Sequence, residues 1–256
     1  MRYTVTGLMF VSMFLLSAQP GWAQQTPTAD QIVSRLMEKN NERQKELESY
    51  TSERTYRVEY HGTGGEHHGQ IVVHAEYGEQ GEKHLTVISQ SGSKMICDRV
   101  LRKMVETEQE ASEKSNRVQM MLSPQNYQFE LLGQESLDGI ETWILHVSPK
   151  VENKLTYRGR IWVSEEDFAV VRVQGEPAKN PSWWINRASF DWRYGKHGRF
   201  WLPDHSIGLS HVRIGGEAKL TIAYSAYHIV ATPDALSLEA NGVQTPSQLI
   251  ERPSAR

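Results

Sequence analysis

Tyr157 to Trp184 reads YRGRIWVSEEDFAVVRVQGEPAKNPSWW. The pattern predicts a hairpin: a strand over Tyr157–Ser164, a polar turn at Ser164-Glu165-Glu166-Asp167, and a returning strand over Phe168–Gln174. Pairing Val163 with Phe168 sets Ile161 opposite Val170, and these four side chains share a face. Trp162, Ala169, Val171 and Val173 then share the other. Both faces are largely apolar, whereas a sheet with one wet face alternates apolar and polar residues. The hairpin therefore belongs to a sheet covered on both sides, or covered on one side and lining an apolar cavity on the other.

The same two-residue period extends outward. Thr142–Ser148, with Trp143, Leu145 and Val147 alternating, pairs back to Tyr127–Gly133 through the strong hairpin turn Asp138-Gly139. Downstream, a Pro-containing loop at Gly175–Pro181 leads to Trp183-Trp184. Strands follow over Ala188–Tyr194, Arg199–Leu202, Ser206–Ile214 and Glu217–Ile229. Upstream, Tyr50, Ser52, Arg54, Tyr56, Val58 and Tyr60 fall on one face of a strand. That strand returns through Gly62-Thr63-Gly64-Gly65 into Gly69–Tyr77 and then Lys83–Gln90. Ahead of this meander, Thr28-Ala29-Asp30-Gln31 matches a capping box opening a helix to about Leu47. Its apolar stripe is Ile32, Val33, Leu36 and Met37, followed by an almost wholly charged or amide half that projects into solvent. Lys94–Glu113 reads either as one helix or as a short strand then a helix. Glu106–Asn116 reads as a solvated helix end or mobile loop, and Arg117–Leu122 as a short amphipathic helix stopped by Pro124. The sum is a mainly β chain with some α structure (α+β): about ten strands in long consecutive hairpins, which favour a strongly curved sheet or partial barrel over a doubly wound fold.

The chain of 256 residues opens with Arg2, an apolar run over Gly7–Leu16, and Gly21-Trp22-Ala23. This reads as a secretory signal peptide over residues 1–23, cleaved before Gln24. The run is shorter than the roughly 20 residues that span a membrane. No cysteine follows it to carry a lipid. The expectation is a soluble exported protein with one domain over residues 24–231 and an unpatterned tail over residues 232–256. A formal net charge of −3 excludes general nucleic-acid binding, which needs a basic field. The single cysteine, Cys97, reads as a small buried residue, so stability rests on the core and not on a disulfide.

Candidate binding residues concentrate in the second meander, where every tryptophan except Trp22 lies. Trp143, Ile161, Trp162, Val163, Phe168, Val170, Trp183, Trp184, Trp192 and Trp201 form the candidate lining of an apolar cavity. Aromatic rings suit a greasy mouth with a polar edge, although core packing is the plain reading for any single one. His61, His67, His68 and His74 crowd the first hairpin and with Glu66 offer zinc or copper ligands. Adjacent strand residues face opposite ways, however, and no helical His-x-x-x-His spacing occurs, so solvated histidines and no cofactor are expected. Glu165-Glu166-Asp167 sits at an exposed tip with nothing to raise a carboxyl pKa. No nucleophile elbow, phosphate loop or dinucleotide fingerprint is present, so no enzymatic activity is expected.

The arrangement, together with the wording Gly159-Arg160-Ile161-Trp162-Val163, Phe168-Ala169-Val170-Val171-Arg172, Pro177-Ala178-Lys179 and Ser182-Trp183-Trp184-Ile185, resembles the LolA/LolB-like superfamily, in particular proteins labelled outer membrane lipoprotein-sorting protein. The resemblance implies an unclosed β-barrel wrapped around a few helices, with an apolar cavity for the acyl chains of a lipoprotein or lipid. It implies a periplasmic, monomeric carrier that exchanges cargo between an inner-membrane exporter and an outer-membrane acceptor. An envelope interaction or sensor module of the same fold is the alternative, with the first helix and Met120-Met121-Leu122 filling the cavity. A hydrolase would require carboxylates or histidines converging in a cleft.

Overall fold

The computed structural model describes residues 26–78, 81–180, 182–183, 185–213 and 215–232. The expected leader, all but the first residue of the expected tail, and Trp184 lie outside them. Helix α1 (Ala29–Glu46) starts at the capping box: Thr28 Oγ1 accepts the Gln31 amide and Gln31 Oε1 accepts the Thr28 amide. Three strands follow, β1 (Leu47–Gly62), β2 (Gly65–Tyr77) and β3 (Lys83–Gly92). A broken helix comes next: α2 (Lys94–Ile96), a π-helical turn over Cys97–Leu101, and α3 (Arg102–Ala111). The segment that the sequence left open between strand and helix is thus helical throughout. After α4 (Lys114–Met120) the chain returns to strands. These are β4 (Tyr127–Leu137), β5 (Ile140–Pro149), β6 (Tyr157–Ser164), β7 (Val170–Pro177), β8 (Ile185–His197), β9 (Phe200–Val212) and β10 (Glu217–Ala231).

All ten strands form one antiparallel, curved, unclosed sheet in the order β3-β2-β1-β10-β9-β8-β7-β6-β5-β4, with β3 and β4 as its free edges. An unclosed, curved antiparallel sheet with a few helices is the architecture that the sequence resemblance implied. The strands expected separately over Arg199–Leu202 and Ser206–Ile214 are replaced by the single strand β9, which runs through Pro203 with a bulge opposite Arg193 and Tyr194; Ile214 lies outside the described residues. The Asp138-Gly139 turn has positive φ at both residues (52° and 84°), the mirror-image turn that matches strand twist.

The opening hairpin forms with a shifted register. Val163 pairs with Val170, and Ile161 pairs with Val173. A bulge between Trp162 and Val163 inserts Val171, and Phe168 stands in the turn at φ 47° instead of in the strand. The bulge carries Val173 onto the face of Ile161 and Val163, where all three are buried together. One face packs on α1, Trp162 is buried on the other, and Ala169 and Val171 are buried at the bulge.

Register pairings trace one inward row across the sheet: Val173, Trp192, Ser206, Ile222, Tyr56 and Ile71. Both helical covers sit on that face. Ile32, Val33 and Leu36 of α1 fill the β4–β8 half against Trp143, Leu145, Val147, Ile161 and Val163. Ile96, Cys97, Leu101 and Val105 cover the β1–β2 half against Tyr56, Val58, Ile71 and Val73. The charged half of α1 is tied down and does not project freely. Glu46 pairs with Arg199 at 3.0 Å, and an Arg43 Nη2 donates to the Asp167 carbonyl.

Leu36→Ala is expected to cost about 3 kcal/mol of stability through a cavity under α1. Thr28→Ala should cost about 1 kcal/mol through the lost cap. Urea titrations followed by tryptophan fluorescence compare them; equal, small effects would show that α1 is not part of the core.

Candidate ligand-binding site

Inward positions of β1 alternate as Tyr50, Ser52, Arg54, Tyr56 and Val58, all buried. A guanidinium at that depth needs a partner, because an unpaired buried charge is strongly unfavourable. Glu108 of α3 supplies it: Arg54 Nη1 donates to Glu108 Oε1 at 2.5 Å. The Tyr56 hydroxyl donates to Glu108 Oε2 at 2.7 Å, and Lys83 Nζ at the start of β3 donates to Oε1 at 3.0 Å. The Arg54 side chain is only 2% exposed and that of Glu108 25%. The Tyr224 ring, on the paired position of β10, lies 5.2 Å from the Arg54 guanidinium carbon.

Electrostatics hold this cluster in its charged form. Burial by itself would raise the Glu108 pKa, but Lys83, Arg54 and the Tyr56 hydroxyl prevail and hold it at about 2. Burial works against the Arg54 charge too, and the Glu108 carboxylate outweighs it, so the guanidinium pKa is raised. Burial also pushes the Tyr50 and Tyr224 phenols up to about 12, keeping both neutral donors. Beside α3 lies an open cavity of about 920 Å³ lined by Leu85 and Val105, by Lys83 and Arg117, and by four carboxylates, Glu82, Glu106, Glu110 and Glu113.

The structure separates the residues that the sequence grouped. Trp143, Ile161, Val163, Phe168, Val170 and Trp192 do converge, on the face that α1 covers. Trp143 packs on Phe168 at 5.0 Å between ring centroids, and Trp192 stacks on Phe190 at 4.1 Å. Trp162 lies on the opposite face, donating from Nε1 to Glu135 beneath the Arg172 guanidinium. Trp201 donates to Asp167, and Trp183 is 81% exposed in the loop before β8. None of these residues lines the large cavity. The turn at Ser164–Asp167 is docked and not simply solvated, since Asp167 takes both Trp201 and Lys196. Met120 and Met121 are exposed, while Leu122 packs on the α1 core. His61 pairs with Glu66 at 3.2 Å and His67 bonds the Gly64 carbonyl. No three His, Cys, Asp or Glu side chains among the described residues converge as metal ligands.

Sequence reasoning missed Arg54 and Glu108. Glu108 fell in a segment expected to be solvated. The signals were present: Arg54 is the one charge on an inward-facing aromatic row, and Leu101, Val105 and Glu108 share a helix face.

No protein-family profile matches the sequence, and no curated protein matches it. Solved structures do. A DUF1329 family protein from Desulfovibrio piger is 16% identical, over 82% of this chain and 97% of its own, with a TM-score of 0.45. A putative outer membrane lipoprotein-sorting protein domain from Vibrio parahaemolyticus is 11% identical, over 78% of this chain and 93% of its own, at 0.42. A LolA superfamily protein from Nitrosomonas europaea is 11% identical, over 82% of this chain and 97% of its own, at 0.36. At these values nothing about ligand or partner carries over.

Arg54→Met should destabilise the protein at pH 7 by about 3–5 kcal/mol, because Glu108 stays partly buried without its main partner. Arg54→Met/Glu108→Leu should recover most of that loss. Since the folded pKa of Glu108 lies below its ordinary value, its stabilisation is complete above pH 4.5 and is lost as pH falls towards about 2. The deficit of the single variant should therefore shrink on acidification. Urea titrations between pH 7 and pH 3 test this, and a pH-independent deficit would assign it to packing.

Proposed function

We propose that this chain is a non-enzymatic carrier, exported to the periplasm, that takes the acyl chain of a lipoprotein or lipid against the inner face of its half-barrel. The observation that carries this reading is the cover over β1–β3. The apolar floor of Val58, Ile71 and Val73 is closed by one broken helix, fastened by the ion-paired Glu108 carboxylate together with Gln109 and Ser112, which accept the Leu85 and Lys83 amides, and Arg102, which donates to Gln90. The π-helical turn at Cys97–Leu101 breaks the regular ladder where the cover begins, as such turns do at functional hinges. Lifting α3 about that turn trades Arg54–Glu108 for hydrated charges or a ligand, and it uncovers the part of the floor beneath Val105, while Ile96 and Cys97 stay in place. Each buried methylene is worth about 0.8 kcal/mol. Roughly ten of them offset about 8 kcal/mol, a micromolar affinity before the cost of opening. That range permits both uptake and release, which suits handover from an inner-membrane exporter to an outer-membrane acceptor. Among the described residues no helix is long and apolar enough to cross a membrane.

A second reading, the envelope interaction or sensor module, is favoured by α1. Its Ile32, Val33 and Leu36 already fill the half of the sheet that holds most of the tryptophan-rich candidates.

Native mass spectrometry of the protein purified from its own envelope, with lipid extraction, separates the two. A co-purifying acylated species is expected. A clean apo mass that takes up neither added lipid nor lipopeptide would overturn the carrier in favour of the module.

A further inference from the structure

The carboxylate of Glu108 sits in a receptacle that it does not fill. Its donors are Arg54 Nη1, the Tyr56 hydroxyl and Lys83 Nζ, all from strands of the sheet. Two more polar atoms on the same inward row of β1, Arg54 Nε and Ser52 Oγ, are buried without a hydrogen-bond partner. Such orphans are rare in a finished core and call for an explanation. The receptacle belongs to the sheet, whereas Glu108 arrives on the cover.

We propose that Glu108 is a built-in stand-in for the head of the cargo, and that the site selects an amphiphile with an anionic head, a carboxylate or a phosphate. The proposal rests on the carrier reading and narrows its cargo to the lipid, because the acyl chains of a lipoprotein end in uncharged ester and amide links. When α3 lifts, Glu108 leaves and Arg54 remains on the floor of the barrel. A cargo ending in an uncharged ester, amide or alcohol strands that guanidinium with no counter-charge under a low-dielectric lid. An anionic head replaces the carboxylate, and its additional oxygens reach Arg54 Nε and Ser52 Oγ. A guanidinium favours such planar or tetrahedral oxyanions because it donates from several N–H groups in a fixed fork. Lys83 contributes a second cation and also lines the 920 Å³ cavity, where Glu82, Glu106, Glu110 and Glu113 leave Lys83 and the Arg54 behind it as the place for an anion. From Tyr56, the inward row leads to Val58 and, across the β1–β2 pairing, to Ile71 and Val73, where the chain would lie.

The test is isothermal titration of the full chain at pH 7.5 with three probes of equal chain length: laurate, dodecyl phosphate and dodecanol. The wild type should bind at least one anion about tenfold or more tighter than the alcohol, the scale of a charged hydrogen bond. Preference for laurate points to a fatty acid as source, and preference for dodecyl phosphate to a phosphorylated lipid. Arg54→Met/Glu108→Leu, whose fold is checked by circular dichroism, should bind all probes at the level of the alcohol. Glu108→Gln, which weakens the internal competitor and keeps Arg54, should tighten the anions severalfold. Equal binding of alcohol and anions to the wild type, or a preference surviving in the double variant, overturns the anchor and leaves the carrier standing. Absence of binding by all three probes sinks the carrier reading and this inference with it.

Discussion

The pairing of β1 with β10 is the constraint on which the rest of the molecule depends. It runs from Leu47 opposite Ala231 to His61 opposite Glu217, and it joins the first strand of the chain to the last. Without it the chain would hold two separate meanders linked by a helical insertion, each with an uncovered apolar face. With it the inward rows become continuous. Residues as distant in sequence as Tyr56 and Trp192 then face the same interior. One sheet face must be covered, and the two helical segments available, α1 and α2–α3, divide it between them.

The two covers differ in kind. α1 meets the β4–β8 half with wholly apolar residues, and its amphipathic stripe is closed by hydrogen bonds and ion pairs at both ends. The α2–α3 cover is apolar at its start and ends on a charged contact, Glu108 against Arg54 and Lys83. A buried ion pair adds little net stability compared with apolar packing, but it becomes costly when one partner is removed. Such a contact fits the opening that the carrier reading proposes. It also penalises any open state in which the guanidinium lacks a counter-charge. The distribution of apolar and charged contacts thus makes one half of the barrel a core and the other a cover.

Much of this was legible in the sequence because it follows from local rules. The capping box at Thr28 and Gln31, the Asp138-Gly139 turn, the strand at Tyr157–Ser164 and the burial of Cys97 all reflect short-range patterning. The resemblance carried by Gly159–Trp184 indicated the architecture. The candidate site was read less well. Tryptophan is large and rarely fully buried, so a cluster of tryptophans marks apolar surface without saying which surface. Trp143 and Trp192 took one face, Trp162 the other, and Trp183 neither.

The sequence alone determined the first helix, most of the strands, the Asp138-Gly139 turn and the inward period of β1, since side-chain alternation and capping act within a few residues. Tertiary structure decided which apolar face is interior, because one bulge at Trp162–Val163 moves Val173 across the sheet. It also decided the fate of Arg54. A strand arginine and a helix glutamate 54 positions apart carry no pattern that links them. They meet because the helical segment after β3 folds back over the β1–β2 face, and because a guanidinium excluded from water must find a carboxylate.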